Sequence, residues 1–134
     1  MAFDADDTLW DCQGYFEAVE KAYCKLLSSY GSFDEISNRL FSVESANMAL
    51  MGYGSKAFTL SMIENAIRVT NGELSNDQLL EILNLGKSLL QLPATPLKGV
   101  VDTLRSLRAS KRYSMVVFTK GDNLEQESKL IRSG

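Results

Sequence analysis

Near its start the chain reads Phe3-Asp4-Ala5-Asp6-Asp7-Thr8-Leu9-Trp10, directly after a short apolar, strand-like beginning. Alternate side chains of an extended backbone point to the same side. Asp4 and Asp6 are two residues apart, so both carboxylates can face one reacting centre where the chain leaves the strand. This layout is typical of a nucleophile beside a general acid or base.

Two other structures accommodate such a stretch. Asp is common in turns and at helix N-termini, so an acidic turn remains an alternative. A calcium-binding EF-hand loop counted from Asp4 needs Gly and a bidentate Glu where this chain has Leu9 and Tyr15. The pattern therefore argues against a calcium site.

The same stretch resembles the first motif of the haloacid dehalogenase superfamily, in its branch of aspartate-nucleophile phosphatases. In that superfamily the first Asp attacks phosphorus and forms an aspartyl-phosphate. The second Asp donates a proton to the leaving group and then takes one from water. The resemblance assigns these roles to Asp4 and Asp6, and it implies Mg²⁺ held by the Asp4 carboxylate and the Asp6 main-chain carbonyl.

The composition limits the function classes. The 134 residues include 45% hydrophobic residues, which is enough to build a core. The net charge is −3 and Lys and Arg are scattered singly, so neither nucleic acid nor a membrane is an expected partner. The chain has no histidine, which excludes a Ser-His-Asp triad, a His-ligated zinc site and a His base. Carboxylates must carry out any acid or base catalysis.

The sequence has no recognisable targeting segment and no cysteine motif. No stretch approaches the roughly 20 apolar residues that cross a bilayer, and no basic segment followed by an apolar run opens the sequence. We therefore expect a cytoplasmic protein. Cys12 and Cys24 are too far apart for a CxxC redox or zinc motif, which indicates reduced thiols.

The middle of the chain predicts a helical bundle. Apolar residues recur at spacings of three and four, and glycines interrupt the pattern at Gly31, Gly52-Tyr53-Gly54 and Gly72. Ser75 and Gln78 form a capping box that opens the fourth helix. The expected helices cover about 11–30, 34–51, 55–69 and the stretch from 76 to about 90.

The last third of the chain has a different pattern. Pro93-Ala94-Thr95-Pro96 predicts a hinge, because proline does not fit inside a helix. A short helix through Val100 to Leu107 follows, and then the apolar run 113–119 predicts a strand buried on both faces of a parallel sheet. A turn at 120–123 leads to a final helix, on which Gln126 and Lys129 are expected at the surface.

These elements divide the chain in two. Residues 1–12 and 95–134 predict an α/β arrangement, a partial Rossmann-like parallel-sheet core. Residues 13–94 predict an inserted α-helical bundle. An insertion directly after the first strand is similar to the cap domain of the same superfamily, which closes over the active site and selects the substrate.

A second motif lies at the end of the expected strand. Thr119 follows that strand at the carboxyl edge, where parallel α/β sheets bind ligands, and its hydroxyl can donate to a phosphoryl oxygen. The stretch Val117 to Asp122 resembles the superfamily's second motif. The resemblance makes Thr119, Lys120 and Gly121 candidate phosphate-binding residues, although a solvated turn is an alternative for Lys120. An N-cap of the last helix is the simplest role for Asp122 or Asn123.

The superfamily's third motif, a lysine, and its fourth, an acidic pair that completes the magnesium site, normally lie C-terminal to the second. Neither appears before Gly134. We expect the chain to be an N-terminal portion of a longer enzyme, inactive on its own, weak in binding Mg²⁺ and prone to self-association through its open sheet edge.

The predicted function is a magnesium-dependent phosphatase that hydrolyses a small phosphorylated metabolite. A dehalogenase is less favoured, because expelling a halide needs no proton donor and that branch lacks an Asp at the position of Asp6. A non-catalytic capped α/β binding or regulatory module stays open. In the cap, Tyr53 and Lys56 are candidates for contact with the substrate, and a plain helix-breaking turn is the alternative.

Overall fold

A computed structural model describes all 134 residues of the chain. The protein divides into two compact units, one formed by Met1–Tyr15 with Leu92–Gly134 and the other by Phe16–Gln91. The predicted boundaries differ from these by three residues at each crossing. The elements are β1 (Ala2–Phe3), α1 (Gln13–Leu26), α2 (Phe33–Met51), α3 (Ser55–Val69), α4 (Asn76–Leu90), α5 (Val100–Ser110), β2 (Val116–Val117) and α6 (Asn123–Ser133), with a short 3₁₀ turn at Ser28–Tyr30.

The first unit contains a small parallel sheet. Strands β1 and β2 pair in parallel with Ala2 opposite Val116 and Phe3 opposite Val117. Parallel pairing requires a crossover connection, which the helical residues between the strands provide. Beside the sheet lies a small apolar core of buried residues that includes Leu9, Trp10 and Ala94. This arrangement confirms the predicted α/β class with an inserted helical bundle.

The prediction of a buried strand over 113–119 is wrong for this chain. Only Val116–Val117 has strand geometry, and Val116, Val117 and Phe118 are 58%, 42% and 72% exposed. A strand buried on both faces needs layers above and below the sheet and usually further neighbouring strands. The sheet formed by these residues has two strands, so the apolar side chains of β2 stay in contact with solvent.

The second unit is helical, and its helices begin and end where local chemistry dictates. The predicted capping box at Ser75 and Gln78 is present at the start of α4. A second capping box, Ser32 with Glu35, starts α2 one residue earlier than expected. Helix α3 packs against both α2 and α4. The fully buried apolar side chains of this unit include Tyr23, Leu27, Ile36, Leu40, Met62, Ile82 and Leu89.

The helices of both units are too short or too polar to cross a lipid bilayer.

Candidate active site

The two sequence motifs lie at one edge of the sheet. Asp4 directly follows β1, and the main-chain N–H of Phe118 donates to the carbonyl of Phe3 at 2.8 Å. Since the strands run parallel, Asp4 and Thr119 both leave the sheet at its carboxyl end. This is the edge at which open parallel sheets bind their ligands.

The chain turns tightly after β1. The main-chain N–H groups of Thr8 and Leu9 both donate to the carbonyl of Ala5, at 3.2 and 2.8 Å, and the N–H of Asp7 donates to the carbonyl of Trp10 at 2.8 Å. Asp7 has φ of 60°, a left-handed conformation that Asp tolerates better than most residues. As a result of this turn, the side chains of Asp4, Asp6 and Asp7 differ in exposure and in hydrogen-bond partners.

Asp4 and Asp7 have distinct partners. The Asp4 side chain is exposed and accepts a long hydrogen bond of 3.4 Å from the Thr8 hydroxyl. The Asp7 carboxylate accepts from the main-chain N–H groups of Cys12 and Gln13 at 2.8 and 2.7 Å, where α1 begins. Asp7 therefore stabilises a helix start, while Asp4 keeps an accessible carboxylate.

Asp6 is surrounded by hydrogen-bond donors. Its Oδ1 accepts from the Trp10 indole N–H at 2.9 Å and from the Lys129 ammonium at 3.0 Å. Its Oδ2 accepts from Lys129 at 3.2 Å and from the Gln126 side-chain amide at 3.2 Å. A carboxylate has about four lone-pair sites, so these four bonds account for all of them. Asp6 is fixed in one orientation.

Gln126 and Lys129 are buried, at 6% and 1% exposure, so the expectation that they lie at the surface is wrong. The orientation of α6 explains the difference. It turns Glu125, Gln126 and Lys129 inward, whereas its apolar Leu124 and Ile131 are 69% and 74% exposed. Gln126 and Lys129 are three residues apart and therefore share one helix face, directly after the second motif. This spacing was the signal in the sequence that both could belong to the site.

Gln126 connects the two motifs. Its carbonyl oxygen accepts from the Thr119 hydroxyl at 3.3 Å, while its amide donates to Asp6. Gly121 allows this approach, because a Cβ at that position would lie 2.9 Å from the Gln126 amide nitrogen. Of the two expected caps, Asp122 is the one that caps α6, by accepting from the N–H of Glu125 at 3.0 Å, and Asn123 is the first residue of the helix. Lys120 is exposed.

Lys129 is also close to a thiol. Its ammonium lies 3.7 Å from the Cys12 sulfur and 3.8 Å from a Glu125 carboxylate oxygen on its own helix. Burial raises the pKa of the Cys12 thiol to about 11, and the negative charge of Asp6 adds to this. Cys12 is therefore a protonated thiol at neutral pH, and Asp6 and Glu125 are the carboxylates that balance the charge of Lys129.

The residues at this edge of the sheet offer the type of donor atom that Mg²⁺ prefers, which is oxygen. The chain offers hard oxygen donors, the accessible Asp4 carboxylate and the main-chain carbonyl of Asp6. It has no group of three or more His, Cys, Asp or Glu side chains arranged to hold a metal ion. Mg²⁺ commonly uses one or two carboxylates together with water and substrate phosphate, so such a site draws its other ligands from outside this pair.

A separate pocket of about 180 Å³ lies within the helical unit. Gly52, Tyr53 and Gly54 form part of its wall, so the glycine-rich turn does separate α2 from α3 and also lines a cavity. Lys56 is exposed on α3. Burial raises the pKa of the Glu44 carboxyl at the pocket, with a smaller contribution from Glu20. The other lining residues are Phe16, Asn47, Met48, Ala57, Phe58 and Ser61.

Comparison with solved structures finds a crystal structure of a haloacid dehalogenase-like family hydrolase from Xanthomonas campestris, with a TM-score of 0.91 and 36% sequence identity. The match covers 99% of this chain and 55% of that protein's chain, so the present chain spans about half the length of its structural neighbour. Neither protein-family profiles nor curated protein sequences give a match.

Proposed function

Because the chain has the fold of a haloacid dehalogenase-like hydrolase and 36% identity to one, we propose that it carries the catalytic aspartates of a phosphoric monoester hydrolase. The substrate is a small phosphorylated metabolite. The reaction passes through an aspartyl-phosphate intermediate on Asp4. The protein from Xanthomonas campestris is a haloacid dehalogenase-like hydrolase, and the phosphomonoester substrate is our own proposal.

Each step is assigned to a residue of this chain. The Asp4 carboxylate attacks phosphorus, and the bond between phosphorus and the leaving oxygen breaks. Asp6 in its protonated form gives its proton to that oxygen, and in the second step it takes a proton from the water that hydrolyses the aspartyl-phosphate, which returns it to the protonated form. Thr119 binds a phosphoryl oxygen by turning its hydroxyl hydrogen from Gln126 to the phosphate, and the Lys120 and Gly121 main chain binds the other phosphoryl oxygens. The products are an alcohol and inorganic phosphate.

The observation that carries the proposal is the linkage of both motifs at one sheet edge through Gln126. Thr119 and Asp6 are 113 residues apart in the sequence, yet one amide side chain bonds both. A phosphate held by Thr119 would therefore lie close to the acid that protonates its leaving group. Such placement reduces the entropic cost of bringing reacting groups together.

We also propose that Mg²⁺ is required. Bound to the Asp4 carboxylate and the Asp6 main-chain carbonyl, the ion would offset repulsion between an anionic nucleophile and an anionic substrate. The side chain of Asp6 is left for proton transfer, because its main-chain carbonyl and not its carboxylate would bind the ion. One of the hydrogen bonds that the carboxylate accepts from Trp10, Gln126 and Lys129 has to break for Asp6 to carry the proton that it gives to the leaving group.

The test uses the whole protein with Mg²⁺ and p-nitrophenyl phosphate. Asp4→Asn should abolish both turnover and covalent phosphorylation, because an amide is not a nucleophile for this reaction. Asp6→Asn should slow turnover by about 10²–10⁴ and still allow phosphorylation by a substrate with a good leaving group. Retained turnover in Asp4→Asn would exclude the mechanism.

Asp7→Asn is the matched control within the same motif. Its side-chain oxygen can still accept from the N–H groups of Cys12 and Gln13 that Asp7 bonds, since Asn and Asp are comparable helix caps. We expect near-normal turnover. A loss as large as that of Asp4→Asn would mean that any change in this turn abolishes activity, and it would remove the support for a specific nucleophile.

A further inference from the structure

Lys129 places a buried positive charge in the first unit. Its side chain is 2% exposed, and an ammonium removed from water costs several kcal/mol unless it is paired. Its closest oxygens are those of Asp6, at 3.0 and 3.2 Å, while Glu125 on its own helix is at 3.8 Å. Lys129 therefore directs its shortest contacts at a carboxylate from the first motif.

A purely structural role does not explain this choice. Replacing a buried ion pair with well-packed apolar side chains is often neutral or stabilising, so packing alone gives no reason for a lysine here. The Asp6 side chain is 28% exposed, and water could solvate it without help. The buried cation thus restrains a carboxylate that is partly open to solvent.

Gln126 restrains the same carboxylate from a second direction. Its amide donates to Asp6 while its carbonyl accepts from Thr119, so the orientation of Asp6 depends on the position of the second motif. The Trp10 indole adds a third donor. Rotation of the carboxylate would break hydrogen bonds on both oxygens.

We propose that Lys129 and Gln126 are positioning residues that hold the Asp6 carboxylate in the orientation from which it exchanges a proton with the leaving group. Lys129 acts by charge, and Gln126 acts by coupling Asp6 to Thr119. The catalytic part of this inference rests on the proposed function, in which Asp6 is the general acid. The positioning part concerns the geometry of this chain alone.

The positioning part can be measured without activity. Trp10 is the one tryptophan of the 134 residues, and its indole N–H bonds Asp6 at 2.9 Å. In the whole protein labelled with ¹⁵N, Trp10→Phe identifies this indole signal. We expect Lys129→Met to shift it clearly, because Asp6 loses its restraint. Lys98→Met, the same substitution at an exposed lysine, should leave it in place.

The catalytic part is tested by comparing kcat for substrates with different leaving groups. A general acid matters most when the departing oxygen is strongly basic, so loss of positioning should slow an alkyl phosphate far more than p-nitrophenyl phosphate. We expect Lys129→Met to lower kcat by about 10²-fold for the alkyl ester and by less than about tenfold for the aryl ester. Lys129→Arg keeps the positive charge and should recover much of the lost kcat. It also tests the role of the charge if Lys129→Met folds poorly.

The outcomes separate the two parts. An unshifted Trp10 indole signal in folded Lys129→Met overturns the positioning role, whatever the activity. Equal losses on both esters, together with a lower melting temperature, overturn it in favour of structural stabilisation. If Asp6→Asn itself shows no dependence on the leaving group, the proposed function fails, and the indole signal still decides whether Lys129 positions Asp6.

Discussion

Replacing Gly121 with alanine perturbs the link between the two motifs and leaves the side chains of Asp4, Asp6 and Thr119 unchanged. Gly121 has φ of +132°, which L side chains rarely adopt. A Cβ there would lie 2.9 Å from the Gln126 amide nitrogen and 3.6 Å from its Cγ. The new methyl group therefore strains the backbone and displaces the side chain that bonds Asp6 and Thr119.

Two terms set the magnitude. Backbone strain at such a φ costs on the order of 1–3 kcal/mol. Displacing Gln126 weakens its 3.2 Å bond to the Asp6 carboxylate, and a hydrogen bond to a charged group contributes about 1.5–3 kcal/mol. The side chain can adjust in part, so we expect a total loss of about 3 kcal/mol in the free energy of unfolding, measured by urea denaturation of the whole protein.

Gly99→Ala is the matched control. Gly99 also has positive φ, at +85°, but no atom lies within 4 Å of a Cβ built there. It should lose only the strain, about 1–2 kcal/mol. Adding Gln126→Ala to Gly121→Ala removes the side chain that the methyl group meets, so the two losses should combine to less than their sum. If Gly121→Ala costs no more than Gly99→Ala, the contact with Gln126 has no energetic weight and the reasoning is refuted.

Two further predictions concern a helix cap and a half-buried carboxyl. Asp122→Ala should lower stability by about 1 kcal/mol, because the N–H of Glu125 loses its acceptor, and Asp122→Asn should retain most of it; equal losses in urea denaturation would contradict the cap. Burial raises the pKa of Glu44 above 4.5, so ionising it opposes folding, and stability should fall as pH rises from about 4.5 through the folded-state pKa. Glu44→Gln should remove that fall, whereas the same change at exposed Glu81 should not.

Local sequence signals specify the helices of this protein well. The capping box at Ser75 was predicted, as was a cap of the last helix at Asp122 or Asn123, and Ser75 and Asp122 form these side-chain bonds. The capping box at Ser32 was missed although its pattern, Ser32 followed by Glu35, is of the same type. These features depend on residues three positions apart, so one sequence contains all the information they need.

Burial could not be predicted in the same way. The apolar run around Val116 and Val117 indicated a buried strand, yet both side chains are exposed because the sheet has two strands. In α6 the pattern is inverted, since polar Gln126 and Lys129 are buried. Periodicity shows which residues share a helix face, but it does not show which face meets the rest of the protein.

The contacts of Asp6 explain why the site could be predicted only in part. Asp4, Asp6 and Thr119 were identified by motif, whereas Lys129 and Gln126 depend on a helix packed against a turn 120 or more residues away in sequence. A lysine is ordinarily exposed, so a rule based on residue type places Lys129 at the surface. Only the partners of its ammonium account for its burial.

The start of α6 then determines whether these contacts can form at all. Asp122 caps the helix, and Gln126 and Lys129 follow it by four and seven residues, spacings that return to the same face of an α-helix. Each added residue would turn the face by about 100°, so one residue inserted between Asp122 and Gln126 would point both side chains away from Asp6. The cap, the glycine at 121 that admits Gln126, and the buried lysine are therefore parts of one arrangement. The cap fixes which face of α6 meets Asp6, and Gln126 and Lys129 hold the carboxylate there.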